Sequence, residues 1–389
     1  MERVLEGCVS LKNWPVGEKK GMVYFRFMLV DLKSSLGLGY FGLGFDFGSD
    51  YERPGTYGVS HLIEHLISKK VNPMLSRMKR LGVEYDFYTS RDKVVASLTG
   101  LSRAVEEVAI EFRDRVVDGS LLWDVEEFEN EKRTVLQEYE NCFNEQLLGV
   151  VLNTLRRHYS YFNPIGLSED VGKFSYEESI FLGRGFSLPS KVVTIGVDVP
   201  TVVSGESFKM KQPSHKFGKY EVRLEEVPTG KRVFVGLVRK ERVSESKRAR
   251  VEFLLSCLND GIESPLNQEI RGKRGLSYFS GGFTSPISGG SVVTLFAMTG
   301  KREKSKLREV YREFFSGDLS RHLSRERFLD CYSSLMVERE KSEILPFTRG
   351  TEIMLGEDPY FGVVNFSYED AIEMLTEEFS YDKFERIEY

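Results

Sequence analysis

Cysteine and histidine are scarce in this chain: among 389 residues there are four cysteines and five histidines. Cys8, Cys142, Cys257 and Cys331 lie far apart and form no CxxC pair. That spacing argues against a thiolate zinc site or a disulfide scaffold and fits a reducing compartment. No apolar run is long enough to span a bilayer. The first residues, MERVLEGCVSLKNW, carry early acids and lack a signal-peptide core. Positive charge is not in excess either. The net charge is −5, with both signs interspersed, so there is no basic footprint for nucleic acid. These absences lead to the expectation of a soluble, cytoplasmic protein with neither a nucleic-acid nor a membrane partner.

What is present is enough apolar material, 41% of residues, for more than one sizeable core. VYFRFMLVDL (23–32) and LGYFGLGFDFGS (38–49) read as strands. From Gly58 the apolar spacing changes to three and four, which predicts two helices, the second ending at Gly82. A hairpin turning near Ser90-Arg91-Asp92 follows, then helical patterns over 103–118 and 120–158 and a strand in KVVTIGVDV (191–199). The stretch 201–217 mixes Ser, Gly, Lys and Pro without a period and reads as a linker. Beyond it the order recurs: strand-like YEVRLEEV and KRVFVGLVRK, helical SKRARVEFLLSCLND and LNQEIRGKRG, two more strands, then helices. The expected fold is α+β. It comprises two structurally similar domains, 1–200 and 218–389, each a mostly antiparallel sheet covered by helices on one face.

Two of the five histidines stand in GVSHLIEHLISKK (58–70). On a helix, His61 and His65 project from one face and can share an ion, with Glu64 leaning to the same side. HxxEH is the inverted zinc-peptidase spacing, in which the glutamate is not a ligand and serves as general base toward a water on the ion. The bland alternative is a half-buried helix that happens to carry two imidazoles. A zinc site needs a third protein ligand. His158, His215 and His322 have no helpful context, whereas the acidic segment 124–145 offers several glutamates. Glu131, Glu138 and Glu145 recur at seven residues and share a face, so any of them could ligate or support a ligand. Pattern alone does not choose among them, nor does it exclude a merely solvated acidic face.

At this point the chain resembles the pitrilysin (insulinase) zinc metallopeptidases, the inverzincins, a family that includes the mitochondrial processing peptidases and half-sized bacterial members. FGSDYERPGTYGVSHLIEHL is similar to the family's approach to its zinc helix, and ENEKRTVLQEYE to its third-ligand segment. The resemblance implies one Zn²⁺ per chain, held by His61, His65 and Glu138, with Glu64 and Glu131 catalytic. LNDGIESPLNQEIRGKRGLSYFSG resembles the second-domain segment whose arginine and tyrosine reach the substrate, which implies that role for Arg271 and Tyr278. Because this chain carries both sets, the resemblance implies a homodimer enclosing a chamber for peptide substrates.

The chain departs from that pattern in places. Asp86 and Phe87 stand where relatives usually have Asn-Ala on the substrate edge strand. Lys69-Lys70-Val71 replaces a glycine-threonine pair, and Asn163 stands where a histidine is common. The expected activity is a zinc endopeptidase acting on short or unfolded peptides. The rival reading is a non-catalytic family member serving as a scaffold or partner subunit, and a metal-dependent hydrolase of non-peptide amides is a third.

Overall fold

The computed structural model describes residues 2–8, 24–144, 164–183, 189–200, 232–287, 290–355, 362–379 and 385–388, apart from residues 35, 53–54, 119, 121 and 242. The 201–217 linker, the strand-like YEVRLEEV, Asn163 and the end of the 120–158 helical pattern fall outside the described residues. The chain divides into two compact units. The first comprises Met1–Gly149, Phe162–Gln212 and Lys341–Glu357; the second comprises Val150–Tyr161, Pro213–Glu340 and Asp358–Tyr389.

The first unit holds a six-stranded sheet in the order β1-β2-β6-β3-β5-β4. Its strands are β1 (Glu2–Cys8), β2 (Tyr24–Leu32), β3 (Leu38–Phe45), β4 (Glu84–Thr89), β5 (Val94–Leu101) and β6 (Lys191–Ile195). Every pairing is antiparallel except β2 with β6. The strand β1 carries no signal in the sequence reading; its place comes from pairing along its own whole length with Tyr24–Val30 of β2. Helices α1 (Val59–Lys69), α2 (Leu75–Leu81), α3 (Ser102–Val117) and α4 (Val125–Asn144) follow in chain order. As the spacing predicts, α2 stops at Gly82, which takes φ 66°, a conformation that favours glycine. After α4 come α5 (Ser168–Lys173) and α6 (Tyr176–Gly183).

The pleat of β3 explains the layering. Phe41, Leu43 and Phe45 point to one face, where they join the core formed with α1 and α3. Tyr40, Gly42 and Gly44 point to the other, where a further helix, α11 (Pro346–Leu355), packs. A Cβ on Gly44 would lie 2.5 Å from Met354 Sδ, and one on Gly350 would lie 2.4 Å from the Tyr40 ring. Small residues on strand and helix therefore permit this close approach. Lys191 Nζ on β6 also donates to the Ile353 carbonyl. Both faces of the central strands are thus covered, the second by a helix from late in the chain.

The second unit repeats the wiring. Its strands are β7 (Arg232–Glu241), β8 (Phe279–Ile287), β9 (Gly290–Gly300) and β10 (Glu385–Glu388), in the order β10-β7-β9-β8 and antiparallel throughout. That order corresponds to β6-β3-β5-β4 of the first sheet, strand for strand. The intervening helices match as well. Helices α7 (Glu245–Asn259) and α8 (Pro265–Asn267) precede the β8–β9 hairpin, and α9 (Lys304–Ser316) and α10 (Arg325–Ile344) follow it. The last helix is α12 (Tyr368–Glu378). The core of this unit joins Leu254, Leu258, Leu295, Tyr311, Phe315 and Leu375. The chain is therefore α+β, and the architectural repeat read from the sequence is present in the sheets.

Candidate active site

Helix α1 is positioned by its apolar stripe. Val59, Leu62, Ile63, Leu66 and Ile67 are buried in the core, at the three–four spacing of an amphipathic helix. Burying each contributes about 1.5–3 kcal/mol. The helix begins at Gly58, which takes φ 97°. A Cβ there would lie 2.8 Å from the Ile165 carbonyl oxygen, so the entry loop closes tightly on residues 165–166. Glu52 serves buried amides at the start of the helix. Its two carboxylate oxygens accept from Gly58 N–H at 2.8 Å and Ser60 N–H at 2.7 Å, satisfying donors that a helix start leaves open. Burial pushes Glu52 up to about 8, while the two amides pull it the other way.

The face of α1 away from its apolar stripe turns His61 and His65 toward α4. On α4, Phe128 and Val135 are buried, and Glu131 shares their stripe with only 7% exposure. Glu138 lies two turns beyond Glu131 on the same face. His61 Nε2 and His65 Nε2 stand 3.2 Å apart, and Glu138 Oε2 lies 3.5 Å from the first and 3.6 Å from the second. Among the described residues, these three form the group of donors close enough to share an ion.

The remaining contacts extend this group. His65 Nδ1 lies 3.2 Å from Glu131 Oε2, and Lys69 Nζ lies 2.7 Å from Glu131 Oε1. Glu64 is buried, and Thr89, at the end of β4, donates its hydroxyl to Glu64 Oε2 at 2.8 Å. Burial pushes Glu64 up to about 7; His65 and Thr89 draw it down, and Glu138 and Asp86 push it up. Burial and the neighbouring His65 hold His61 down at about 3, so its ring is neutral near pH 7 and has a lone pair to offer.

The donor set fits zinc. Ligands about 2.0–2.2 Å from a tetrahedral ion stand roughly 3.3–3.6 Å from one another. The spacings between the three donor atoms are 3.2, 3.5 and 3.6 Å. Two imidazole nitrogens and one carboxylate oxygen also leave a fourth position open. Of the seven-residue series left open by the sequence pattern, Glu138 brings an oxygen to both rings and Glu131 reaches His65 Nδ1. Glu145 falls outside the described residues.

Residues 38–168 match the insulinase family, peptidase family M16. The chain carries an M16 peptidase domain. The stretch assigned to M16 runs from β3 through α1 and α4 and so contains the whole donor group. A Rickettsia bellii protein named an uncharacterized zinc protease is 22% identical over 65% of this chain and 66% of its own length. YmxG of Bacillus subtilis, also named an uncharacterized zinc protease, is 23% identical over 68% of this chain and 69% of its own length. These matches therefore span about two-thirds of those relatives. Among solved structures, a protease from Helicobacter pylori shares the fold across 99% of both chains, with a TM-score of 0.77 at 14% identity. An M16 inactive domain from Pseudomonas fluorescens gives a TM-score of 0.70 at 17% identity, covering 94% of this chain and 95% of that one. A chain of complex III2 from Candida albicans gives 0.71 at 11%, covering 91% of each.

In the second unit, α8 runs into a π-helical turn, Gln268–Lys273, a form often found at functional sites. The turn closes as Gly275, with φ 58°, donates its N–H to the Arg271 carbonyl at 3.1 Å. The Arg271 guanidinium lies 4.5 Å from the centroid of the Tyr278 ring, and Tyr278 is 82% exposed. A tyrosine that exposed, stacked under a cation and outside any core, is free to meet a ligand.

Sequence reasoning missed Glu52, Thr89 and Lys69. Glu52 lies six residues before Gly58 and has no capping-box spacing, and Thr89 reaches Glu64 across 25 residues. Lys69 could have been found, since it lies one helical turn beyond His65 on the same face. Lys70, the other half of the departure at 69–70, is structural: its ammonium is buried and donates to the carbonyls of Val116 (3.4 Å) and Asp118 (3.0 Å) at the end of α3. Among the described residues no helix is long and apolar enough to cross a membrane.

Proposed function

We propose that this chain is a zinc-dependent endopeptidase acting on short or unfolded peptides, with one Zn²⁺ held by His61, His65 and Glu138. The observation that carries the reading is the convergence of two imidazole nitrogens and one carboxylate oxygen at 3.2–3.6 Å, with a buried carboxyl, Glu64, on the same helix. When bound, the ion would supply Lewis-acid chemistry, acidifying a water and polarising a peptide carbonyl. Glu64 takes the proton of the attacking water and delivers it to the leaving amine. Thr89 orients Glu64, and Glu131 orients His65.

The strand β4 stands at the edge of its sheet, paired on one side by β5. An extended peptide can add there through main-chain hydrogen bonds. Phe87 packs against Phe112 and the core, so that side chain is committed to the fold, whereas Asp86 and Tyr88 are exposed. Arg271 and Tyr278, contributed by the second copy in a homodimer, clamp the peptide and donate to the developing oxyanion. A chamber between two copies would exclude folded proteins by size.

The non-catalytic reading draws on fold likeness to the inactive Pseudomonas domain and the complex III2 chain. The complete donor set favours catalysis over it. Purified protein is assayed for metal and for cleavage of an unstructured peptide library, with and without chelator, beside the Glu64→Gln variant. Stoichiometric zinc, cleavage lost to chelator, and a variant that keeps zinc but cleaves at least about 10³-fold more slowly are expected. Full cleavage by the variant refutes the assignment of Glu64; a wild type without zinc supports the scaffold.

A further inference from the structure

We propose that Lys69 is a positioning residue for the metal centre: its ammonium holds Glu131, and Glu131 holds the His65 ring so that Nε2 faces the ion. The inference rests on the zinc reading of the same site and adds to it a residue that never touches the ion.

The outer nitrogens of the two rings differ in their partners. Among the described residues, His61 Nδ1 is buried without a hydrogen-bond partner. His65 Nδ1 has one, Glu131 Oε2, at 3.2 Å. The outer nitrogen of His65 is therefore held, whereas among the described residues that of His61 is not. A carboxylate on a rotatable side chain fixes a ring only as well as it is itself fixed. The second oxygen of Glu131 is fixed by Lys69 Nζ at 2.7 Å. The three groups form a line in which each carboxylate oxygen serves one donor: ammonium to Oε1, imidazole N–H to Oε2.

With Nδ1 as the donor, Nε2 carries the lone pair, and Nε2 is the atom that stands 3.2 Å from His61 Nε2 and 3.6 Å from Glu138. Lys69 lies four residues after His65 on α1 and so reaches the same face of α4. Its side chain is 36% exposed, while that of Glu131 is 9% exposed. The ion pair is thus half sheltered, and Lys69 can be replaced without opening a core.

The test uses the full chain. Lys69→Met keeps the aliphatic stem and removes the charge. Zinc affinity, read by competition with a chromophoric chelator, is expected to weaken about 10- to 100-fold, the usual effect of losing an outer partner of a ligand. Lys69→Arg keeps a cation in reach of Glu131 and is expected to recover most of it. In a Glu131→Gln background, Lys69→Met is expected to add nothing, because the lysine acts only through that carboxylate. In metal-free protein, the ring-nitrogen NMR shifts of His65 are expected to report the Nδ1–H tautomer in wild type and a mixture of tautomers in Lys69→Met.

A lysine that merely complements the C-terminal end of α1 would change thermal stability in Lys69→Met while leaving zinc affinity and the His65 tautomer alone; that result overturns the proposal. Additive losses with Glu131→Gln overturn it too. Failure of the zinc reading is recognised separately. A wild type that takes up no zinc, yet shows a tautomer sensitive to Lys69, sinks the metalloenzyme assignment and leaves the positioning role intact.

Discussion

Thr89, on the last residue of an edge strand, donates its hydroxyl at 2.8 Å to Glu64, which lies on the helix that carries both imidazoles. The bond ties the proposed base to the strand along which a peptide would lie. A hydrogen bond to an ionised group contributes about 1.5–3 kcal/mol. Thr89→Val is therefore expected to lower kcat roughly 10- to 100-fold with little change in KM, and Thr89→Ser to stay near wild type. The pH profile gives a second reading. Burial pushes Glu64 up to about 7 in the metal-free chain, and the Thr89 bond opposes that shift. A general base must be ionised, so the rate rises with pH through its ionisation, and a bound dication draws that acid limb below 7. Removing Thr89 moves the limb upward. A valine variant with unchanged kcat and an unmoved acid limb would show that the contact has no part in the reaction.

Glu52 links the start of α1 to pH. Its oxygens accept from Gly58 and Ser60 N–H, yet burial raises it from the ordinary 4.5 to about 8. Between those values the native chain binds more protons than the unfolded one. The contribution of Glu52 to stability is therefore full below about pH 4.5 and declines as pH rises through about 8. Glu52→Ala is expected to cost about 1–3 kcal/mol at pH 5, where two buried amides lose their acceptor. The gap between variant and wild type then narrows toward pH 8. Urea midpoints at both values measure this, and a gap that widens with pH would mean that the amide bonds outweigh burial.

How much of this could be read in the sequence depends on the range of each interaction. The apolar spacing of Leu62, Ile63, Leu66 and Ile67 marks α1 and, with it, the shared face of His61 and His65. The stop at Gly82 and the turn at Ser90-Arg91-Asp92 are local signals, and both are present. The seven-residue recurrence of Glu131 and Glu138 tells that they share a face but not which of them meets the rings; the family resemblance supplied that choice. Thr89 and Glu52 were not legible, because their partners are fixed only once strand, loop and helix have packed. The placement of α11 was also hidden. Nothing in PFTRGTEIML says that it docks on a sheet formed some 150–300 residues earlier, although the glycines at 42 and 44 of β3 leave the gap that it fills.

That docking gives a test of the fold independent of any chemistry. Gly350 lies against the ring of Tyr40, so closely that a Cβ would sit 2.4 Å from it, and Tyr40 is fully buried. The ring has nowhere to retreat: Gly42 lies beside it and Met354 occupies the neighbouring space over Gly42 and Gly44. Gly350→Ala would ordinarily favour a helix by about 0.8–1.0 kcal/mol. Here the added methyl must displace α11 or the ring, at a cost of about 1–3 kcal/mol for overpacking a tight core. The net expectation is a lower urea midpoint for Gly350→Ala, with recovery when Tyr40→Leu removes the ring and makes room. An alanine variant as stable as wild type, or more so, would mean that α11 does not rest on β3 and that this face of the sheet is covered by something else.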